Sequence, residues 1–193
     1  MPRKPPPRGR TPRTKSSSDD ATPVNGHRLW APWRYQYIRS TGAKSDSCIF
    51  CFGKLDASER KRRLVVYEGE HALVMLNRYP YNNGHLMVAP RRHLASPELL
   101  TREERGIIAE LISESCVRLR GALNPSGLNV GANLGRSAGA GIADHMHWHL
   151  VPRWDGDTNF MPVLASTRVL SQDLESSFQM LAPLFKTIDA QLI

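Results

Sequence analysis

The stretch HMHWHLVPRW, residues 145–154, decides how this chain is read. Three of the seven histidines stand there at alternate positions, His145, His147 and His149, with Met146, Trp148 and Leu150 between them. Successive side chains of a β-strand point to opposite faces. The spacing therefore predicts a strand with an apolar stripe for a core and a histidine stripe on the wetter face. A helix would scatter the imidazoles around its circumference, and Pro152 would interrupt it. A single half-buried histidine is ordinarily a hydrogen-bonded structural side chain. Three on one face, beside Arg153, point instead to a metal site or to imidazole catalysis.

Immediately before the histidines lies GRSAGAGIAD, residues 135–144. Small residues let backbone N–H groups approach an anion closely, as phosphate-cradling nests do. No Gly-Lys-Ser/Thr occurs, and a strand rather than a helix follows, so neither a Walker loop nor a dinucleotide fingerprint is present. Beside three histidines and Arg153 the loop reads as half of a phosphate pocket.

Further upstream, RLVVYEGEHALVMLN (63–77) holds two apolar runs around Glu68-Gly69-Glu70 and reads as a β-hairpin. A turn at Asn82-Asn83-Gly84 leads to a third strand ending at Ala89. Ser96-Pro97 and the capping box Thr101-x-x-Glu104 open a helix. Its apolar positions Ile107, Ile108, Leu111, Ile112 and Leu119 recur at helical spacing, and Asn124-Pro125 ends it. SGLNVGANL (126–134) reads as a fourth strand, and a last helix is expected over 171–181 with Pro183 near its end. The class is α+β: an antiparallel sheet of about five strands with one long helix and a C-terminal helix packed on one face.

Cys48-Ile-Phe-Cys51 has the C-x-x-C spacing of a zinc knuckle, which needs two further ligands. His93 and His145 are available, and a Cys48, Cys51, His93, His145 set would be a closed, structural zinc site. A redox pair is the other reading, but the thioredoxin-like βαβ context is missing. Cys116 falls within the long helix as a small core residue.

At 193 residues and 40% hydrophobic, the chain can bury one good core. No apolar run approaches the ~20 residues that span a bilayer, and the N-terminus lacks a secretory apolar core. A cytoplasmic protein with no membrane partner is expected. Three cysteines make no disulfide framework. The net charge of +8 misdescribes the domain, because MPRKPPPRGRTPRTKSSSDD (1–20) carries six of the Lys and Arg residues against Asp19 and Asp20. Residues 1–27 are expected to be a disordered Pro/Ser-rich tail and 28–193 the domain, with order beginning near LWAPWRYQYI (29–38). The tail reads either as a solubilising extension or as an arm for an anionic surface; only through it would nucleic acid be a partner.

Taken together, these motifs resemble the histidine triad (HIT) family of nucleotide hydrolases and transferases. His-x-His-x-His followed by apolar or proline positions is that family's mark. LNRYPYNNGHLMVAPRRH (76–93) resembles its nucleotide-binding segment, and CIFC the zinc pair of its bacterial members. HMHWHLVPRWDGDTNFMPV (145–163) looks most like the branch that phosphorolyses diadenosine tetraphosphate. The resemblance covers residues 30–163.

The resemblance implies a HIT-like fold, a homodimer, a nucleotide substrate and no organic cofactor. It makes His147 the nucleophile that forms a nucleotidyl-histidine intermediate. His149 and His85 would orient the site and hold phosphate oxygens, and Asn77 would meet the ribose hydroxyls. Asn133 and the amides around Gly139, Ala140 and Gly141 would face the polyphosphate, with Arg153 and Trp154 completing the substrate site. One departure stands out. Where many relatives carry a hydroxyl or amide before the triad, this chain has Gly141, Ile142 and Ala143, and Ser137 is the nearest hydroxyl. A polyphosphate leaving group needs less protonation than an amine, which favours dinucleoside polyphosphates over phosphoramidates. The alternatives are a hydrolase with water as acceptor, a non-catalytic nucleotide- or nucleic-acid-binding module, and a metalloenzyme with zinc on all three histidines.

Overall fold

The computed structural model describes residues 48–157 and 172–188. The tail 1–27, the aromatic stretch 29–38 and the 158–163 end of the phosphorylase-like motif lie outside the described residues. Helix α1 (Ala57–Arg63) leads into the hairpin β1 (Val65–Glu68) and β2 (Ala72–Leu76), followed by β3 (Leu86–Pro90). A 3-10 turn (Pro97–Leu99) precedes the long helix α2 (Arg102–Leu123), then come β4 (Gly127–Ala132), a second 3-10 turn (Arg136–Ala138), β5 (Trp148–Arg153) and α3 (Leu174–Phe185). The five strands form one antiparallel sheet in the order β1-β2-β3-β5-β4.

Alternation along the strands explains why the sheet separates core from site. Ala72, Val74 and Leu76 of β2, Leu86 and Val88 of β3, and Leu150 of β5 face α2 and α3, where they pack with Ile107, Ile108, Leu111, Leu181 and Phe185. The intervening Leu73, Met75, Met87 and Ala89 face the other way and pack under Phe50. Both faces of β2 and β3 are covered, so these strands read as unbroken apolar runs. Helix α2 starts where expected: Thr101 Oγ1 accepts from the Glu104 N–H, and the Glu104 carboxylate accepts from the Thr101 N–H. Asn124 ends it in the left-handed region at φ 44°. No helix among the described residues is long and apolar enough to cross a membrane.

Three expectations need correction. The histidine strand begins at Trp148, so His145 and His147 precede it; the Met146 N–H instead donates to Leu94 O at 2.8 Å. Helix α1 falls between the Cys48–Cys51 pair and the hairpin, where no helix was expected. It buries no residue, and is held by the Asp56 cap and by Arg62 and Arg63 pairing with Glu59, signals that hydrophobic periodicity misses. The last helix runs Leu174–Phe185 rather than 171–181, because Asp173 caps it by accepting from the Ser176 N–H, and Pro183 lies within its final turn.

Candidate active site

The sheet face away from the helices carries a row of neighbours. His149 of β5 pairs across with Met87 of β3, and Met87 pairs with Met75 of β2. Over this row opens a cleft of about 230 Å³. His147, His149, Gly139, Gly141, Asn77, Tyr81, Arg63 and Arg78 are among the residues that line it.

The tautomers of the histidines follow from their partners. His147 is buried, and its Nδ1 lies 3.0 Å from the His145 carbonyl oxygen. A carbonyl only accepts, so Nδ1 carries the proton and Nε2 keeps a lone pair. The Tyr81 N–H donates to His85 Nδ1 at 3.1 Å, which places the His85 proton on Nε2. That Nε2 stands 3.0 Å from His149 Nδ1, so His149 accepts there and holds its own proton on Nε2. Tyr81 also stacks on His85, with ring centroids 4.9 Å apart.

Burial sets the charge state. Desolvation, reinforced by any charge on His149 or His147, pushes the pKa of fully buried His85 down to about 3. Desolvation also lowers that of His147, only partly opposed by its bond to the His145 carbonyl. At neutral pH His147 is therefore a neutral imidazole, the nucleophilic form.

His145 turns away from this cleft. Its Nε2–H donates to Pro90 O at 2.9 Å, leaving Nδ1 unprotonated at 3.3 Å from Cys48 Sγ and 3.4 Å from Cys51 Sγ. His93 Nδ1 stands 3.2 Å from Cys51 Sγ, and the four potential ligand atoms lie within 4.8 Å of one another. A tetrahedral ion with bonds of ~2.0–2.3 Å separates its ligand atoms by roughly 3.3–3.8 Å, so the cluster fits a metal of that type. The Pro90 carbonyl fixes the His145 tautomer as a second-sphere partner of a metal ligand does. Between cluster and cleft sits Phe50, fully buried, with its ring 5.0 Å from that of His145 and 4.9 Å from that of His147. Arg91 braces the loop from below, donating to Phe52 O at 2.7 Å and lying over the Phe52 ring.

The histidine stripe is thus divided: His145 joins the cysteines, while His147 and His149 meet edge to face in the cleft, 4.8 Å apart. Of the expected substrate residues, Asn77, Gly139 and Gly141 line the cleft. Asn77 Oδ1 already accepts from the Tyr79 N–H, and its amide nitrogen stands 3.4 Å from His85 Nδ1. The Gly139 and Ala140 N–H groups close the local turn onto Arg136 O and Gly135 O, leaving Gly141 as the amide the turn does not use. Asn133 follows the end of β4 and does not line the cleft, and neither does exposed Ser137. Arg153 and Trp154 are also elsewhere: four residues along β5 carry Arg153 roughly 13 Å past His149. There Arg153 pairs with Asp157 at 2.9 Å, and Trp154 Nε1 donates to Leu123 O. Sequence reasoning missed Phe50, Tyr81, Arg63 and Arg78. Phe50 carried a signal as a large apolar residue between two cysteines, and Arg78 and Tyr81 as members of the segment 76–93; Arg63 carried none.

Residues 58–156 match the HIT domain family. The chain belongs to the HIT family. It is 37% identical over 160 residues to the AP-4-A phosphorylase of Mycobacterium tuberculosis, covering 80% of this chain and 82% of that relative. It is 32% identical over 108 residues to the adenosine 5'-monophosphoramidase of Schizosaccharomyces pombe, covering 55% of this chain and 74% of the relative. Both relatives are enzymes of the HIT family, and so is this protein. Its fold superposes on the zinc-bound histidine triad family protein of Mycobacterium smegmatis with a TM-score of 0.56 at 25% identity, covering 77% of this chain and 99% of the other.

Proposed function

We propose that this HIT enzyme transfers a nucleotidyl group from a dinucleoside polyphosphate through an adduct on His147. The specific reaction is phosphorolysis of diadenosine tetraphosphate to ATP and ADP. The observation that carries the reading is the His147 tautomer: Nδ1–H is committed to a carbonyl, and Nε2 offers its lone pair at the cleft. The similarity to a phosphorylase supports the substrate, and a cleft wall with no Ser or Thr among the described residues supports a leaving group that needs little protonation.

In the first step Nε2 attacks the α-phosphorus. A P–N bond forms as the P–O bond to the β-phosphate breaks, and ATP leaves with the electron pair. The Nε2–H of His149 and the Gly141 amide donate to the phosphoryl oxygens as charge develops. In the second step a phosphate oxygen attacks the adduct, the P–N pair returns to Nε2, the acceptor's proton passes to solvent, and ADP departs. His85 acts as a positioning residue, because it reaches the reaction only by fixing the His149 tautomer.

A zinc ion on Cys48, Cys51, His93 and His145 belongs to this reading. With all four positions filled by protein, its chemistry is structural: it holds the loop that places Phe50 and Ile49 over the site. Free paired thiols suit a cytoplasmic location. The exposed edge strand β4, with Val130 on its surface and exposed Leu134 two residues beyond its end, supports a homodimer, which sedimentation velocity would detect.

Incubation with diadenosine tetraphosphate, with and without phosphate, tests the reaction. Phosphate should accelerate turnover and yield ADP with ATP. AMP accumulating at a phosphate-independent rate would establish a hydrolase instead.

A further inference from the structure

Arg63 and Arg78 line the cleft from the β1 and β2 side of the sheet, three and two strands across from the β5 strand that carries His149, and nothing in the nucleotidyl-transfer step uses them. Arg63 lies just before β1, with its guanidinium 5.2 Å from the centre of the Phe52 ring and its Nε 3.4 Å from Glu59 Oε2. Arg78 lies two residues beyond β2 and donates to Arg62 O at 2.9 Å. Both guanidiniums are therefore braced from outside the cleft while their side chains line it.

Strand order shows which part of a substrate reaches them. From His149 the face runs through Met87 of β3 to Met75 of β2, two strand spacings or roughly 10 Å. That distance is comparable to a nucleoside monophosphate measured from phosphorus to far base edge. The floor between is two thioether side chains, both nearly buried, and Ile49 and Ile142 add apolar surface. Polyphosphate laid on such a floor would lose its water without gaining partners. A flat aromatic base suits it. With the α-phosphorus at His147, the base lies over Met87 and Met75 and its outer edge meets Arg63 and Arg78.

A guanidinium only donates. Guanine offers two adjacent acceptors, O6 and N7, to such a group, whereas adenine puts an amino donor in place of O6. We propose that Arg63 and Arg78 select the nucleobase of the half that is attacked, favouring guanine over adenine. This inference rests on nucleotidyl transfer at His147 and does not depend on which acceptor completes it.

A mixed adenosine–guanosine tetraphosphate tests it within one molecule. Attack on the guanosine half releases ATP and leaves a GMP adduct, whereas attack on the adenosine half releases GTP and leaves an AMP adduct. Because Arg78 is solvent-exposed and Arg63 only half-buried, the released ATP should exceed GTP by about five- to tenfold, the low end for a bidentate contact. The R63M/R78M double variant, checked for folding by its melting curve, should bring the ratio to about one. A wild-type ratio at or below one would overturn the proposal. So would a ratio that survives in the variant, including one in which both attack rates fall together, which would assign the arginines to phosphate. Affinities for GMP and AMP give the same contrast without turnover. Inactivity toward every tetraphosphate would thus refute the catalytic reading alone, while the binding ratio still decides the base preference.

Discussion

Phe50→Ala is the substitution that joins stability to chemistry most directly. The ring is 0% exposed and packs with Val65, Leu73, Met75, Met87 and Ala89 on the site face of the sheet. Truncating a buried Phe costs about 3–5 kcal/mol, the spread depending on how far the site collapses. Here one wall is a loop rather than a strand, so partial collapse is available and the lower end, ~3 kcal/mol, applies. In a chain of this size each 1 kcal/mol moves Tm by roughly 2–4 °C, which predicts a fall of roughly 6–12 °C.

Chemistry should suffer separately. Phe50 backs His147 at 4.9 Å and His145 at 5.0 Å, so the cavity frees both imidazoles. A displacement of about 1 Å at a nucleophile can cost on the order of 100-fold, and adduct formation should slow accordingly. Phe50→Leu restores most of the volume and should lose under ~1.5 kcal/mol. The assays are denaturant unfolding and single-turnover trapping of the nucleotidyl adduct, both below the melting temperature of the variant. A Phe50→Ala protein that melts within about 2 °C of wild type and forms adduct at the normal rate would refute the bracing role.

His147→Ala should remain folded and bind nucleotide nearly normally, since Met146 and Leu150 supply the local core, yet lose the adduct and several orders of magnitude in rate; retained activity would remove His147 as nucleophile. Cys48→Ser should reduce zinc from about one per chain toward zero, read by elemental analysis, and lower Tm. His85 stays neutral in the fold down to about 3. Its contribution to stability is therefore complete above its unfolded pKa of about 6.5 and declines as pH falls toward the folded value. Between about pH 7 and pH 5 that decline should reach roughly 2 kcal/mol and be absent in His85→Gln; an equal acid sensitivity in both proteins would contradict it.

Strand alternation and helix capping were local enough to read. The hairpin, β3, β4 and the Thr101/Glu104 box lie where pattern and cap residues put them. The division of the three histidines was not, because it depends on Leu94 pairing with Met146 and on Phe50 wedging between His145 and His147, contacts spanning 52 to 97 residues of sequence at most. Arg153 lies away from the cleft for a related reason. Adjacency in sequence suggested adjacency in the pocket, but along an extended strand four residues are a long way, and Asp157 takes the guanidinium. Arg63 belongs to no quoted site motif and Arg78 stands inside one without being singled out; only pairing of β1 with β2 brings their ends of the sheet together.

The alternate spacing of His145 and His147 has a consequence that strand geometry alone does not explain. His145 works from both of its ends: the imidazole Nδ1 faces the cysteines, while the backbone carbonyl accepts the His147 Nδ1–H. Anchoring that imidazole therefore also anchors the acceptor that fixes the His147 tautomer. The Pro90 carbonyl completes the chain by holding His145 Nε2–H, so β3 defines the orientation of the residue that defines the nucleophile. Inserting one residue between the two histidines would separate the His147 Nδ1–H from the His145 carbonyl that accepts it. Lengthening the loop before His145 would leave both contacts available. Tautomer control thus requires the two-residue spacing of His145 and His147, and the break in the strand before Trp148 lets those side chains diverge to separate sites.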